Sequence, residues 1–376
     1  MRLAFVIPWL ARTGGNKTSL YLAQELVSHG VQVELFAHTV SWTVLPRLAE
    51  TTPDVPFRYI RTRAKGFADH LDPIAWNVAL RRDKELATLI ARRHEEDAFD
   101  AVILFANEGR TIARNLRRIL GVRTPRLGWC VMELVDHSFL LRRERDLSSL
   151  RSIALPLYPL LHALWNKAYA DHDFLLTNSP WTAELLEYLY GLNSYGDVIL
   201  LPHSAFHQEP RLQGPIYFAV PTVSLGPHES KLLAELARAG LPLVAYGPKP
   251  PPPFTSVPYR GFLSELDMRA FLANAVATLF LFDYEALGLV PFESLAAGTP
   301  VVTLPKQGPY RSLGHNPDVH FGRDGRQLRD LCSQILSHPP MESDRTRCRE
   351  SVEIYSQYSS AISFQTLLKV ITESTT

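Results

Sequence analysis

Apolar positions along the chain fall into short continuous runs separated by amphipathic stretches, and this alternation predicts the elements. LAFVIPW predicts a buried first strand, ARTGGN a glycine turn, and TSLYLAQELVSHG a helix with Leu20, Leu22, Leu26 and Val27 on one side and Gly30 at its end. VQVELFAH then returns to a strand, completing a βαβ unit. AVILFA (101–106), a basic helical run from Arg110 to Leu120, RLGWCVM (126–132) and DFLLTNS (173–179) continue the alternation, so the first half reads as α/β. After ILLPHS (199–204), the polar HQEPRLQGP (207–215) has the composition of a linker.

The second half restarts the pattern with strand PIYFAV, helix SKLLAELARAG, strand LPLVAYG, a PKPPPPF loop, strand VPYRGF and helix ELDMRAFLANA. Strand VATLFLF, helix PFESLAAG and strand PVVTL follow. Val352, Tyr355, Ile362, Phe364, Leu367 and Leu368 recur at helical spacing near the end. The expectation is two α/β domains in series, 1–206 and 207–350, and a helix over 351–376 that crosses back to the first domain.

The length of 376 residues agrees with two cores rather than one, and 46% hydrophobic with 20% charged residues is the composition of an ordinary folded chain. A formal net charge of +1 gives no global attraction to nucleic acid. Cys130, Cys332 and Cys348 form no CxxC pair and no disulfide framework, which fits a reducing, cytoplasmic setting. The apolar stretch 152–165 is interrupted by Pro156, Pro159 and His162 and falls short of the ~20 residues of a membrane span. Charge is uneven locally: from Arg110 to Arg151 ten arginines face Glu133, Asp136, Glu144 and Asp146. Such a region suits peripheral contact with anionic headgroups or a phosphorylated acceptor, and equally a solvated helix face with snorkelling arginines.

The most informative stretch for chemistry is DYEALGLVPFESLAAGTPVV (283–302). Gly288, Leu289 and Val290 lie between a strand and a helix expected to start near Pro291, and free N–H groups at a helix start favour a phosphate. Glu293, expected in the first turn, is suited to accept from two ribose hydroxyls, and Glu285 to face whatever lies beyond the phosphates. The plainer alternative is a glutamate complementing the helix dipole and an exposed loop glutamate. Gly14 and Gly15, lacking Cβ, permit close approach to a pyrophosphate or sugar, or simply an ordinary turn.

EALGLVPFESLAAGTPVV resembles the E-G-F-G-L-x-x-x-E-A-x-A-x-G-x-P-V-V segment of retaining glycosyltransferases of family four, the glycosyl transferases group 1. LLTNSPWTAELLEYLYG and YRGFLSELDMRAFLANA are similar to two further stretches of that family, and the opening through Ala37 to its first strand, glycine loop and helix. The resemblance implies the GT-B fold, two Rossmann-like domains with a cleft between them. It implies a hexosyltransferase-type reaction that moves a sugar with retention from a nucleotide-diphosphate sugar to a hydroxyl acceptor, as in polysaccharide biosynthesis. That acceptor would be a glycan, lipid-linked or small molecule. By the same resemblance Glu293 binds the ribose, Glu285 contacts the donor sugar, and amides near Gly288 and Leu289 hold the diphosphate. Backbone near Gly261 and Phe262 then meets the base, and Gly14 and Gly15 approach from the first domain. No cofactor and no essential metal are implied.

The sequence departs from this family twice. The family places an arginine and, a few residues on, a lysine after the first strand of the second domain, to neutralise the leaving diphosphate. VSLGPHESK (223–231) supplies Lys231 but has Ser224, Leu225 and Gly226 at the arginine position, leaving His228, Arg260 or Arg311 as substitutes. The first-domain histidine is also displaced, with His137 as the catalytic candidate and Glu133 as its alternative. The DHD triplet (171–173) looks like an Asp-x-Asp metal motif but fits better as the polar start of a strand, and Pro202 argues against a helical His203/His207 zinc pair. Two rivals follow: a nucleotide-binding partner subunit without catalysis, and a nicotinamide-dependent oxidoreductase relying on Glu34 as the acid ending the second strand.

Overall fold

A computed structural model describes residues 1–10, 14–41, 54–63, 72–105, 109–132, 134, 158–195, 216–223 and 225–372. The chain divides into two compact units. The first comprises Met1–Phe139, Ser148–Leu200 and Ser360–Thr376, the second Leu140–Leu147 and Leu201–Ser359. The linker 207–215, His203, His207 and His137 lie outside the described residues.

In the first unit the strands are β1 (Arg2–Val6), β2 (Trp9–Leu10), β3 (Gln32–Ser41), β4 (Phe57–Arg63), β5 (Ala101–Phe105), β6 (Arg126–Val131) and β7 (Phe174–Thr177). All pair in parallel, with β3 flanked by β1 on one side and β4 on the other, and β5, β6 and β7 extending the sheet beyond β1. β2 continues β1 along β3 in the same register, interrupted at Pro8, whose carbonyl accepts from the N–H groups of both His38 and Thr39. Side chains alternate between two cores: Leu3, Phe5 and Ile7 join one, Ala4 and Val6 the other. Burial on both faces is why these strands read as unbroken apolar runs. The described helices of this unit are α1 (Gly14–Ser28), α2 (Asp72–Glu96), α3 (Ile112–Leu120), α4 (Tyr158–Ala170) and α5 (Pro180–Tyr190). α5 shows how local sequence sets its ends: Ser179 accepts from Thr182 N–H at 3.1 Å, Pro180 opens the first turn, and Gly191 takes the left-handed conformation.

Glu34, expected to end the second strand, instead lies near the start of β3. It is buried among Arg2, Arg58 and Arg93, with Arg2 Nη2 at 2.9 Å and Arg93 Nε at 3.1 Å. A carboxylate neutralised by three guanidiniums at the opposite end of the strand from a dinucleotide crevice cannot bind a ribose there, and the oxidoreductase expectation falls with it.

The second unit holds β8 (Phe218–Pro221), α6 (Pro227–Arg238), β9 (Leu243–Tyr246), α7 (Glu265–Ala273), β10 (Ala277–Phe280), α8 (Leu289–Ala296), β11 (Val301–Thr303), α9 (Gln307–Leu313), β12 (Val319–Phe321), α10 (Gly325–Ser337) and α11 (Glu342–Thr372). Its parallel sheet runs β12-β11-β10-β8-β9. VPYRGF is not a strand. It makes one bridge, Tyr259 with Ala245, because Pro258 has no N–H to give and Gly261 turns left-handed at φ 83°. α11 begins earlier than 351. Its first part belongs to the second unit, where Arg345 donates to the carbonyl oxygens of Ala273 and Ala275, and its last part to the first, where Leu367, Val370 and Ile371 enter the core. Among the described residues no helix is long and apolar enough to cross a membrane.

Candidate functional site

Chain direction in the second sheet reverses between β8 and β10: β8 leads through α6 to β9 on one side, and β10 through α8 to β11 and β12 on the other. The crevice beyond the carboxyl ends of strands at such a reversal is where open α/β sheets take ligands. Here two loops meet at a glycine. A Cβ on Gly226, the residue before α6, would stand 2.8 Å from both Cβ and Cγ of Asp283 in the loop after β10. Nearby, a Cβ on Gly247 would stand 2.5 Å from Thr222 Oγ1, and that hydroxyl donates to Tyr246 O at 3.1 Å.

From β10 the chain passes buried Leu281 and Phe282 to Asp283 and the turn that ends at Gly288. Gly288 is left-handed at φ 79° and has no side chain with which to cap α8, and the amides of Leu289 and Val290, in the first turn, have no intrahelical acceptor. The helix starts at Leu289, two residues before the expected Pro291. Glu293 therefore lies at the beginning of the second turn rather than in the first, and it is buried, with 6% of its surface exposed. Burial distinguishes it from a glutamate that merely complements the helix dipole at the surface. Tyr246, at the end of β9, has its phenol pushed well above the usual value, first by burial and then by the charge of Glu293.

The turn bearing Glu285 is clamped by the first residues of α9, after β11. Glu285 N–H donates to Gln307 Oε1 at 2.8 Å, Gly308 N–H donates to Glu285 O at 3.2 Å, and Gln307 Nε2 donates to Asp283 O at 3.3 Å. A Cβ on Gly308 would overlap Ala286 O at 1.8 Å, and one on Gly288 would come within 2.7 Å of Pro309 Cγ. Glu285 itself is half-buried. Gly261 and Phe262 sit at the end of β9: Gly247 N–H donates to Gly261 O at 3.0 Å, Arg260 N–H to Ala245 O at 2.9 Å, and the Phe262 ring is exposed.

Among the cations, Lys231 stands on the exposed face of α6. Arg260 and Arg311 are exposed as well, and His228 is exposed with its Nδ1 3.5 Å from Glu229 Oε1. A cation that no sequence pattern singles out is fixed at the strand reversal. Lys306, just after β11, places Nζ 2.8 Å from Glu229 Oε1 and 5.9 Å from the Phe282 ring centroid. Glu229, in the first turn of α6, has a fully buried side chain. The only available signal was a lysine next to a glycine loop at a strand end.

In the first unit Gly14 and Gly15, expected in a turn, are the first two residues of α1, and residues 11–13 before them lie outside the described residues. The DHD triplet is engaged elsewhere. Asp171 pairs with Arg114 and Asp173 with Arg117, both at 2.6 Å, while Asp173 also accepts from Leu127 N–H at 2.7 Å. His172 packs on Trp129, and burial lowers it to about 4. Other described arginines of the basic region are engaged as well: Arg123 pairs with Glu95, Arg110 lies 6.0 Å over Trp165, and Arg126 donates to Val370 O, while Arg142, Arg143, Arg145 and Arg151 lie outside the described residues.

Residues 255–350 match the family model of glycosyl transferases group 1. No curated protein sequence matches the chain. Among solved structures, sucrose-phosphate synthase from Thermosynechococcus elongatus superposes with a TM-score of 0.71 at 14% identity, covering 98% of each chain. A glycosyltransferase from Rickettsia africae ESF-5 does so with a TM-score of 0.68 at 12% identity, covering 99% of each chain. HepE of Anabaena, in complex with UDP and glucose, gives 0.67 at 14% identity and 99% of each. At such identities the likeness is one of fold. The chain therefore has the GT-B fold, and the part of its second unit that matches the model of glycosyl transferases group 1, residues 255–350, includes Glu285, Gly288, Glu293 and Lys306.

Proposed function

We propose that this protein is a glycosyltransferase that takes a sugar from a nucleotide-diphosphate donor bound at the strand reversal of its second unit and gives it to a hydroxyl acceptor, with retention at the anomeric carbon. One observation carries the reading: along the chain, clamped, half-buried Glu285 and buried Glu293 flank the first amides of α8, those of Leu289 and Val290. The amides suit an anion, the buried carboxylate suits a pair of ribose hydroxyls, and Glu285, on a turn held by its backbone, suits contact with the sugar beyond. Gly261 and Phe262, fixed beside β9, border the place for the base.

Transfer breaks the bond between the anomeric carbon and the β-phosphate oxygen and forms one to the acceptor oxygen, whose proton leaves with the nucleotide. Charge grows on the departing phosphate, so preoriented amides lower the barrier without any side chain becoming a nucleophile. The acceptor is a hydroxyl of a glycan, a lipid-linked molecule or a small molecule. The diphosphate needs no divalent cation, since amide and ammonium donors supply the positive field.

The test is isothermal titration with the five common nucleoside diphosphates, with magnesium and with EDTA. UDP comes first because HepE was solved with it. Selective binding of one base, unchanged by EDTA, followed by transfer from the matching nucleotide sugar, supports the reading. No binding by any of the five refutes it.

A further inference from the structure

The sequence leaves the leaving group with Lys231 and no arginine, yet the structure fixes a different ammonium at the reversal point. Lys306 emerges from the end of β11, one residue before Gln307, whose side chain holds the Glu285 turn. Its Nζ donates to Glu229 Oε1 at 2.8 Å, and Glu229 projects from the first turn of α6 beside Gly226, where the loops after β8 and β10 touch. Three connections thus contribute to one junction: Glu229 from the first turn of α6 after β8, Phe282 and Asp283 after β10, and Lys306 after β11.

From this geometry we infer that Lys306, held in place by buried Glu229, is the cation that meets the donor's diphosphate. The inference rests on the donor-site reading above. An ammonium has three N–H donors, of which the bond to Glu229 uses one. The Lys306 side chain retains 24% exposure while that of Glu229 has none, so the lysine is the member of the pair that a solvent-borne anion can reach. Glu229 restricts a long side chain to one position, which lowers the entropy cost of each further bond Lys306 makes. Lys231, on the exposed face of α6, has no such anchor among the described residues.

The test compares wild type, Lys306→Arg, Lys306→Met and the double variant Glu229→Gln/Lys306→Met. The double variant removes the pair together, so that no buried carboxylate is left alone and folding is preserved. Binding of the preferred nucleoside diphosphate and, by competition, of its nucleoside is measured, with thermal unfolding alongside. The double variant should bind the diphosphate about ten- to a hundredfold more weakly and the nucleoside within about twofold of wild type, with Lys306→Arg recovering most of the loss. A folded double variant with wild-type diphosphate affinity overturns the role of Lys306 alone, as does an equal loss for nucleoside and diphosphate. Absence of diphosphate binding in the wild type overturns the donor site and the role of Lys306 together.

Discussion

Gly308→Ala tests whether the clamp on Glu285 is functional. The Gly308 backbone is not left-handed, so alanine adds no conformational strain there, only a Cβ that would lie 1.8 Å from Ala286 O. Real Cβ atoms do not approach that closely, and the Ala286 carbonyl must retreat by more than ~1 Å. Two clamp bonds depend on that position, Gly308 N–H to Glu285 O and Glu285 N–H to Gln307 Oε1. At about 0.5–1.5 kcal/mol each, their loss costs about 1–3 kcal/mol of stability, a fall in Tm of several degrees. The effect on transfer should be larger, since a displacement of ~1 Å at a positioning group lowers rate by as much as about a hundredfold. Gly240→Ala is the control. Gly240 is left-handed at φ 81° with nothing near its missing Cβ, so it should lose about 1–2 kcal/mol of stability and no nucleotide affinity. The assay is thermal unfolding, nucleotide titration and donor turnover on both variants. A folded Gly308→Ala protein with wild-type affinity and turnover refutes the argument that this loop holds the site.

Glu293→Ala should weaken nucleoside and nucleoside diphosphate alike by about ten- to a hundredfold, measured by titration, because both carry the ribose. Glu285→Ala should lower kcat more than it raises the Kd for the diphosphate, which steady-state kinetics will separate. Asp173→Ala removes the partner of Arg117 and the acceptor of Leu127 N–H, so it should lower Tm without changing the response to EDTA. Burial keeps His172 neutral down to about 4, whereas the unfolded chain takes up that proton near 6.5. Unfolded protein therefore binds more protons between those values, and stability should fall by up to about 3 kcal/mol as pH drops through the window. Denaturant titrations at stepped pH should show this slope flattened in His172→Gln.

Much of this architecture is legible in the sequence because both sheets are covered on two faces. Runs such as AVILFA and VATLFLF have no polar side to confuse the pattern. β4 was missed for the opposite reason. FRYIRTR carries exposed Arg58, Tyr59 and Arg61 on the outer side of β3, where pairing rather than apolar pattern makes the strand. Gly288, Glu285 and Glu293 could be named in advance because a glycine turn between strand and helix is local. The position of Glu293 in α8 was off by part of a turn, since Leu289 and Val290 gave no sign that the helix would begin before Pro291. Lys306 was invisible for a topological reason: its partner Glu229 is 77 residues away, and only the sheet order brings β11 and α6 to one place.

The final helix has its beginning in one core and its end in the other, and this makes the polypeptide indivisible by a single cut. A fragment ending at Leu200 would lack Leu367, Val370 and Ile371, leaving a vacant apolar seat worth about 5 kcal/mol or more of burial. A protease that nicks between the two units would leave both pieces with part of what the first one requires. Reassembly from fragments should therefore demand that the tail be supplied in trans, whereas a circular order that moves 360–376 ahead of Met1 would join the tail to the rest of the first unit, leaving only 140–147 as an interruption.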